Sequence, residues 1–360
     1  MSRSSQNTTL IQDFIVFNLE AHEKNIGRLV SEQFNVSRVT ATKHLQRLID
    51  DGLIEAKGKT KDRIYTLKEI VSKTITFDIT PNLNEDIVWN QEIRPLLSVM
   101  KENVLGICAH GVTEMLNNVI SHSESPIGRI YVMRNAAKVL IYVMDEGVGI
   151  FKKIQRQFNL ADPQHALLEL AKGKLTTDER NHAGEGIFFT SRMFNKFMIS
   201  SDLIDFCRFT RENEDWFFED RTETLKGTTV MLEIDTNSIQ TTKNVFDAYK
   251  AEFDTFGFTK TIIPLVLMQY EGDKLISRSQ AKRLLTRAER FKEVFLDFKG
   301  ITEIGQGFAD EVFRIFVRDH PDVKVNHINA SEDVVSMIRR AQAGLQLIED
   351  QQETLFKDEK

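Results

Sequence analysis

The most constraining feature of the chain is a long amphipathic segment followed directly by two β-rich runs. In "VLGICAHGVTEMLNNVISH", residues 104–122, apolar side chains recur every three or four positions, which predicts a helix. The runs "GRIYVMRN" and "KVLIYVMD" come next, and the short turn at 135–137 between them predicts an antiparallel hairpin. Because the helix has one apolar stripe, this region predicts a helix packed on an antiparallel sheet.

A row of polar side chains lies on a different face of the same helix. Glu114, Asn118 and His122 follow one another at intervals of four residues, so they share one side of the predicted helix. Taken alone, such a row fits a solvated face as well as an active site. For His122 a structural, hydrogen-bonded role and a role in a site both remain open.

Three glycine-containing motifs follow this helix in a fixed order. "DEGVGI" (145–150) ends the second strand, "HAGEGI" (182–187) follows a polar connection, and "KGTT" (226–229) precedes another β-rich run. With the polar row of the helix, these elements resemble the N, G1, G2 and G3 boxes of the GHKL ATPases. That group includes gyrase-type topoisomerases, heat-shock chaperones, histidine kinases and anti-sigma-factor kinases. The resemblance implies an α/β sandwich at 97–240 that binds ATP and Mg²⁺.

The resemblance assigns one set of residues to the purine. Asp145 would accept a hydrogen bond from the adenine amino group. Gly147 and Gly149 would let the backbone approach the base where a Cβ would intrude. The hydroxyl of Thr228 would lie beside the purine.

A second set would surround the phosphates. Asn118 would hold Mg²⁺ against them as a neutral oxygen ligand, which suits the preference of magnesium for hard oxygens. Glu114, one helical turn earlier, would orient or deprotonate the attacking water or hydroxyl. Gly184 and Gly186 would present backbone amides at a helix start to phosphate oxygens. Glu114 is thus the expected catalytic residue.

The connection at 151–183 is expected to form a lid over the phosphates. Lys172, Lys174 and Arg180 in it could contact the nucleotide or could equally be solvated. A two-component histidine kinase is not expected, because the chain lacks a phosphoacceptor-histidine helix pair and His110 lies within the site-building helix itself. Hydrolysis and phosphorylation of a hydroxyl both remain chemically open.

The amino end predicts a helix, a short turn, a second helix and a charged hairpin. Ser37 is suited to cap the second helix, and Gly52 ends it. The stretch "VSRVTATKHLQRLIDDGLI" within residues 8–68 resembles the winged helix-turn-helix family, which implies double-stranded DNA as a partner. The alternative is a winged helix kept for protein docking or dimerisation. The expected DNA-contacting residues are Arg38, Thr40, Thr42 and Lys43 in the helix, and Lys57, Lys59, Lys61 and Arg63 in the wing.

The carboxyl end alternates β-rich runs with helical patterns from about residue 260, which predicts an α/β sheet layered with helices. "VFLDFKGITEIGQGFADEVFRIF" resembles the STAS fold of anti-anti-sigma factors. In that family a strand ending in Asp-Phe leads to a helix with a phosphorylatable serine. Here Gln306 and Gly307 stand at the serine positions, so phosphorylation of that kind is not expected. Ser277 is expected to cap the helix of "SRSQAKR".

Length favours a multidomain protein, and the patterns and resemblances above give it a mixed α+β and α/β class: a winged helix, an α/β sandwich and a STAS-like α/β domain. A chain of 360 residues is longer than a single hydrophobic core usually supports. A content of 41% hydrophobic and 28% charged residues is typical of soluble globular proteins. Two distant cysteines match no metal spacing and suit a reducing cytoplasm, and no run approaches the roughly 20 apolar residues of a membrane span. The expected units are a winged helix-turn-helix (1–69), a linker (70–96), a GHKL ATP-binding domain (97–240), a STAS-like domain (260–348) and a polar tail (349–360).

Together these patterns predict a cytoplasmic, partner-switching regulator. ATP binding and slow hydrolysis would alter the arrangement of its domains and thereby control DNA or protein binding. One alternative is a serine/threonine kinase that acts in trans, and another is a nucleotide-sensing scaffold without turnover. A protein partner of the sigma-factor or STAS type and a homodimer are both compatible with this hypothesis, whereas a membrane partner is not expected.

Overall fold

A computed structural model describes residues 3–59, 62–80, 82–160, 162–175, 184–209, 215–249, 258–269 and 274–343. Lys61, Arg180 and the tail at 349–360 therefore lie outside the described residues. At the amino end, three helices precede a two-stranded antiparallel hairpin: α1 (Arg3–Asn18), α2 (Ile26–Phe34), α3 (Arg38–Asp50), β1 (Ile54–Lys57) and β2 (Ile64–Leu67).

Local chemistry accounts for where the amino-terminal helices begin and end. The Ser37 hydroxyl accepts a hydrogen bond from the Thr40 amide and so caps α3, as its sequence position predicts. Asn35 adopts a left-handed conformation at the end of α2, and Gly52 does so just after α3. Apolar side chains from all three helices, including Ile15, Val30 and Leu45, form a separate small core.

The central part is a five-stranded antiparallel sheet covered on one face by helices. Its strand order is β3-β4-β5-β7-β6, from the strands β3 (Val71–Asp78), β4 (Ile127–Arg134), β5 (Lys138–Asp145), β6 (Lys196–Phe209) and β7 (Asp215–Asp235). Along β5, Val139, Ile141, Val143 and Asp145 are buried while the residues between them are partly exposed. One polar residue, Asp145, thus continues an apolar row at the end of the strand.

The segment at 70–96 is not a linker, contrary to the expectation from sequence. Residues 71–78 form β3, which pairs along its whole length with β4. After it come α4 (Glu85–Val88), a π-helical turn (Trp89–Ile93) and α5 (Arg94–Leu97). Trp89, Ile93 and Leu97 are buried in the main core, because these short helices pack against the long helix that follows.

That long helix is α6 (Glu102–His122), which carries the polar row predicted from the sequence. Its apolar stripe, with Val112, Met115 and Val119, packs towards β5 and β7. The other helices among the described residues of this part are α7 (Ile150–Phe158), α8 (Pro163–Lys172), α9 (Gly186–Met193) and α10 (Thr242–Ala248). Elements of this part thus run from residue 71 to residue 248.

The carboxy-terminal part contains a three-stranded parallel sheet with helices. Strands β8 (Lys260–Pro264), β9 (Glu293–Asp297) and β10 (Lys324–Ile328) lie in the order β10-β9-β8. The connecting helices are α11 (Arg278–Leu285) and a continuous helix at 306–319 made of α12 (Gln306–Asp310), a π-helical turn (Glu311–Phe316) and α13 (Val317–Asp319). Another helix, α14, covers 332–343 at the end of the described residues.

The first predicted strand of this part is shorter than its apolar run, "TIIPLVLMQY". The strand ends at Pro264, which has no amide hydrogen to continue the ladder, and Leu265–Met268 turns into a 3-10 helix. Ser277 caps α11 in a full capping box with Gln280, as expected.

The three parts are packed together. Buried side chains of the central and carboxy-terminal parts form one hydrophobic cluster. The amino-terminal core includes Ala137 from the turn between β4 and β5, and Lys138 Nζ lies 2.8 Å from Glu20 Oε2 and 3.3 Å from Glu233 Oε2. Over the described ranges, none of the helices has both the length and the apolar composition required to cross a bilayer.

Candidate functional site

A cavity of about 400 Å³ lies between α6, the end of β5 and the start of α9. Pockets that take small-molecule ligands typically have volumes of this order. Seven of the eight residues assigned to the nucleotide from the sequence line it: Glu114, Asn118, Asp145, Gly149, Gly184, Gly186 and Thr228. The structure therefore brings together four motifs that span residues 114–229.

One end of the cavity is organised around Asp145. This carboxylate is 7% exposed, and its Oδ1 accepts hydrogen bonds from the Gly147 amide at 2.8 Å and the Thr228 amide at 3.3 Å. Burial raises the pKa of Asp145, and the bonds from Gly147 and Thr228 oppose that rise. The Thr228 hydroxyl in turn accepts from the Ile150 amide at 3.0 Å. The result is a fixed, buried acceptor at the end of β5.

The two glycines beside Asp145 serve different contacts. Gly149 lines the cavity with φ +82°, a conformation that favours glycine. Gly147 does not line it, because its Cα faces the carbonyl of Ser123 at the end of α6, where an added Cβ would collide with that oxygen. Gly147 therefore permits the end of α6 to pack closely against the end of β5. Of the two glycines, only Gly149 is placed so that its backbone could approach a purine in the cavity.

The other end of the cavity is formed by Glu114 and the start of α9. A Cβ added to Gly186 would collide with Glu114 Oε2, so this carboxylate lies directly against the first residue of that helix. Gly184 has φ +69°, and its carbonyl accepts a hydrogen bond from the Leu175 amide at 3.1 Å. Asn118 lies on α6 between Glu114 and the Asp145 end, and it also faces the cavity.

Much of the cavity wall was not anticipated from the sequence. The apolar lining residues include Met115, Val143, Phe158, Leu170, Leu175, Phe188, Phe189 and Phe246. Helix α10, which carries Phe246, begins at residue 242, beyond the predicted boundary of the domain. Lys153 of α7 also lines the cavity, and its ammonium group donates to the His122 carbonyl and to Glu124 Oε1 at 2.9 Å. The purely apolar residues carry no sequence signal that separates a cavity wall from ordinary core.

Two further titratable side chains at this end have shifted pKa values. His110 lies one turn before Glu114, and burial lowers its pKa. Its Nε2 is buried and has no hydrogen-bond partner among the described residues. Burial also raises the pKa of Glu185, with a smaller contribution from the neighbouring Glu114 carboxylate, while Lys174 acts in the opposite direction. Both pKa shifts favour the neutral form of the side chain relative to the same side chain in water.

The two described lysines of the predicted lid differ in exposure: Lys172 is buried, whereas Lys174 is partly exposed. Lys172 is 1% exposed and pairs with Glu169, so it is neither solvated nor directed at the cavity. Lys174 Nζ donates to the Arg290 carbonyl at 2.8 Å and lies over the ring of Phe291. Both lysines contact the carboxy-terminal part, because α8 packs against β8.

The residues expected to contact DNA lie on α3 and the β1–β2 hairpin. The side chains of Arg38, Lys43, Lys57 and Lys59 are exposed. The Thr42 hydroxyl donates to the Arg38 carbonyl at 2.9 Å, and the Thr40 hydroxyl lies 3.0 Å from that of Ser37. Lys57 pairs with Glu55 at 3.0 Å, and Arg63 lies over the ring of Tyr65. The threonine hydroxyls are therefore engaged in local bonds of α3, while the side chains of Arg38 and Lys43 are exposed on its surface.

The donor set of the cavity does not resemble a protein-only metal cage. Within the described stretches, no group of three or more His, Cys, Asp or Glu side chains is close enough to hold an ion. Magnesium commonly binds through one or two protein oxygens together with substrate phosphates and water. The side-chain oxygens of Asn118 and Glu114 in one cavity fit that pattern.

Comparison with known families identifies the carboxy-terminal part. Residues 280–335 match the family described as STAS-like domain of unknown function, DUF4325. The matched range runs from α11 through β9, the helix at 306–319 and β10 to the start of α14, so a STAS-like domain is present, as the sequence pattern indicated. A search of the curated proteins found no match for the chain.

Proposed function

We propose that the chain is an ATP-binding regulatory protein that hydrolyses ATP slowly, and whose nucleotide state controls DNA or protein binding. One observation carries the proposal: the polar row of α6 and all three glycine motifs contribute to the lining of one cavity. Each motif alone is a common sequence feature. Their convergence, in the order that resembles the GHKL ATPases, is what favours a nucleotide site.

The polarity of the cavity suggests how the nucleotide would lie. The buried Asp145 carboxylate is suited to accept the adenine amino group, with Thr228 and Gly149 beside the base. The opposite end offers the amides at the start of α9 and the side chains of Asn118 and Glu114. Amides at a helix start favour anionic groups, so the phosphates would extend from Asp145 towards Gly186.

Glu114 is the group best placed to act on the terminal phosphate. We expect Asn118, with Glu114 nearby, to hold Mg²⁺, which would supply charge stabilisation at the phosphates when bound. The Glu114 carboxylate would then orient an attacking water or hydroxyl and accept its proton. An apolar wall that includes Leu170 and Phe246 would limit the entry of bulk water, which is consistent with slow turnover.

The amino-terminal unit is the proposed output. Its three helices and hairpin resemble a winged helix, with Arg38 and Lys43 exposed on α3 and Lys59 on the hairpin. These positions are suited to base edges and to phosphates, respectively. ATP would control this unit only if it bound two arrangements of the protein with different affinity, since equal affinity for both shifts nothing.

The core of the proposal is tested by calorimetric titration of ATP and ADP into the wild type and Asp145→Asn. We expect the variant to keep its fold by circular dichroism and to bind ATP at least tenfold more weakly, because an amide at this position also presents a donor to the adenine amino group. Unchanged affinity would contradict the assigned pocket. A second measurement follows labelled ATP: release of free phosphate supports the switch, whereas transfer to a protein supports a serine/threonine kinase.

A further inference from the structure

Helix α8 connects the candidate nucleotide cavity to the STAS-like part of the chain. It lies in the segment between the "DEGVGI" and "HAGEGI" motifs, where the sequence predicts a lid. Leu170, near its end, lines the cavity. The helix also packs against β8, which neighbours β9 in the parallel sheet. One helix therefore contributes to both the cavity wall and the contact with the second sheet.

Lys172 fixes the end of α8 to the carboxy-terminal part. Its ammonium group donates to Glu169 Oε1 at 2.6 Å and to the Thr286 carbonyl at 2.8 Å, and its own carbonyl accepts from the Thr261 hydroxyl at 2.8 Å. Burial lowers the pKa of Lys172, and the Glu169 carboxylate opposes that effect. A charge this deeply buried is tolerated only when it is paired and hydrogen-bonded. Undocking α8 would break the bonds to Thr286 and Thr261, and it would expose the Lys172–Glu169 pair, which lies within the helix.

The residues after Lys172 continue this attachment to the cavity. The Arg287 guanidinium donates to the Lys174 carbonyl at 2.7 Å, and Lys174 Nζ donates to the Arg290 carbonyl at 2.8 Å. The next amide, of Leu175, donates to the Gly184 carbonyl at 3.1 Å. Leu175 and Gly184 both line the cavity. Consecutive bonds thus run from residues 286–290 to the phosphate end of the cavity.

Aromatic rings form a second connection between the same two regions. Phe188 lines the cavity, and its ring centroid lies 4.3 Å from that of Phe258. Phe258, just before β8, is 5.3 Å from Phe291, just before β9. An added Cβ on Gly173 would meet both Phe258 and Phe188, so the chain after Lys172 passes tightly against these rings. Movement of α8 away from β8 would disturb this packing as well.

We propose that the STAS-like part completes the nucleotide site, with Lys172 as a positioning residue that holds Leu170 of α8 and Leu175 in the cavity wall. This inference rests on the proposed ATP binding. Its consequence is reciprocal: docking of the STAS-like part on α8 strengthens ATP binding, and ATP strengthens the docking by the same factor. A partner that pulled this part away would therefore weaken ATP binding without touching the cavity.

The test compares ATP affinity in full-length variants whose substitutions lie outside the cavity lining. Lys172→Met removes the buried charge, and Lys172→Met with Glu169→Gln removes both charges of the pair. Lys282→Met is the matched control, since Lys282 is an exposed lysine of α11. We expect ATP affinity to fall at least about fivefold in Lys172→Met, the lower limit of typical coupling between sites. We expect partial recovery in the double variant and no change in the control.

A milder variant keeps the test decisive if Lys172→Met fails to fold. Thr261→Val removes only the hydroxyl that bonds to the Lys172 carbonyl, at a position in β8 outside the cavity lining. We expect a few-fold loss of ATP affinity, the size of one neutral hydrogen bond. In wild type, ATP should slow amide hydrogen exchange in 164–172 and 286–291, and Thr261→Val should reduce that slowing.

The possible results separate the two proposals. If the wild type binds ATP and every folded variant binds it within twofold of Lys282→Met, the inference is wrong while the proposed function stands. If the wild type binds no ATP, the proposed function fails and the inference fails with it. A loss of affinity in Thr261→Val or Lys172→Met, without a loss in Lys282→Met, supports the coupling.

Discussion

Substitution of Gly186 by alanine tests whether Glu114 is the catalytic group. Gly186 is the first residue of α9, and its Cα faces the Glu114 carboxylate so closely that an added Cβ would collide with Oε2 and lie 2.9 Å from Cδ. The backbone at Gly186 is not in the left-handed region, so alanine is conformationally allowed there. The new methyl group must therefore be accommodated by movement of the Glu114 side chain.

The size of the effect follows from that movement. A Cβ cannot approach an oxygen closer than about 3 Å, so the carboxylate has to move by about 1 Å. Misplacement of a reacting group by about 1 Å can cost about 100-fold in rate. Stability should hold or rise slightly, because alanine is favoured over glycine in a helix by up to about 1 kcal/mol. We expect ATP turnover to fall about 100-fold, with ATP affinity changed much less and the melting temperature kept.

The matched control is Gly106→Ala on the same helix as Glu114. A Cβ at Gly106 meets no atom within 4 Å, so this substitution should raise the melting temperature and leave turnover unchanged. The assay is steady-state phosphate release with thermal melts of both variants. If Gly186→Ala turned over ATP as fast as Gly106→Ala, the placement of Glu114 at the reacting phosphate would be refuted.

Three further predictions use other parts of the structure. Burial raises the pKa of Asp145, and an ionised carboxylate accepts the adenine amino hydrogen bond more strongly than a protonated one. ATP affinity should therefore fall as pH is lowered through that raised pKa, whereas Asp145→Asn should give a flat profile; an equally flat wild-type profile would argue against this role. Gly111→Ala should lower the free energy of unfolding by about 1–3 kcal/mol in denaturant titrations, because its Cβ would enter the buried ring of Phe194. Arg38→Ala should weaken binding to a cognate duplex and relax its sequence preference, whereas Lys59→Ala should weaken all duplexes alike and reduce the salt slope by about one; no binding to any duplex would leave protein docking as the role of this unit.

The elements that were predictable from the sequence are those with strong local signals. The helix at 102–122, the hairpin with its turn at 135–137 and the cap at Ser37 depend on periodicity, turn length and a single side-chain bond. The sequence at 71–78 predicts a linker and not the observed β3, although "TITF" alternates polar and apolar residues, because the partner strand β4 lies about 55 residues further along the chain. A short strand with a distant partner gives little local evidence of pairing.

In the candidate site too, features with a local sequence signal were predictable, whereas those that depend on distant contacts were not. The convergence of Glu114, Asn118, Asp145 and the later glycines was expected from the order of the motifs. The burial of Lys172 was not, since its ammonium group bonds to a carbonyl 114 residues away and a lysine in a polar connection normally reaches solvent. Long-range contacts of this kind depend on how two parts of the chain pack, and no local pattern encodes them.

Strand β5 also limits how this protein can change in length. Its amino end, at Lys138, contacts Glu20 in the turn after the first helix, and its carboxyl end is Asp145 in the cavity. Successive side chains of a strand point to opposite faces, so inserting one residue within β5 would turn the carboxylate to the other side of the sheet. An insertion of two residues would restore the face but move Asp145 about 7 Å along the strand axis. Homologous chains that keep both contacts should therefore preserve the number of residues between these two positions, even where the apolar residues between them are exchanged.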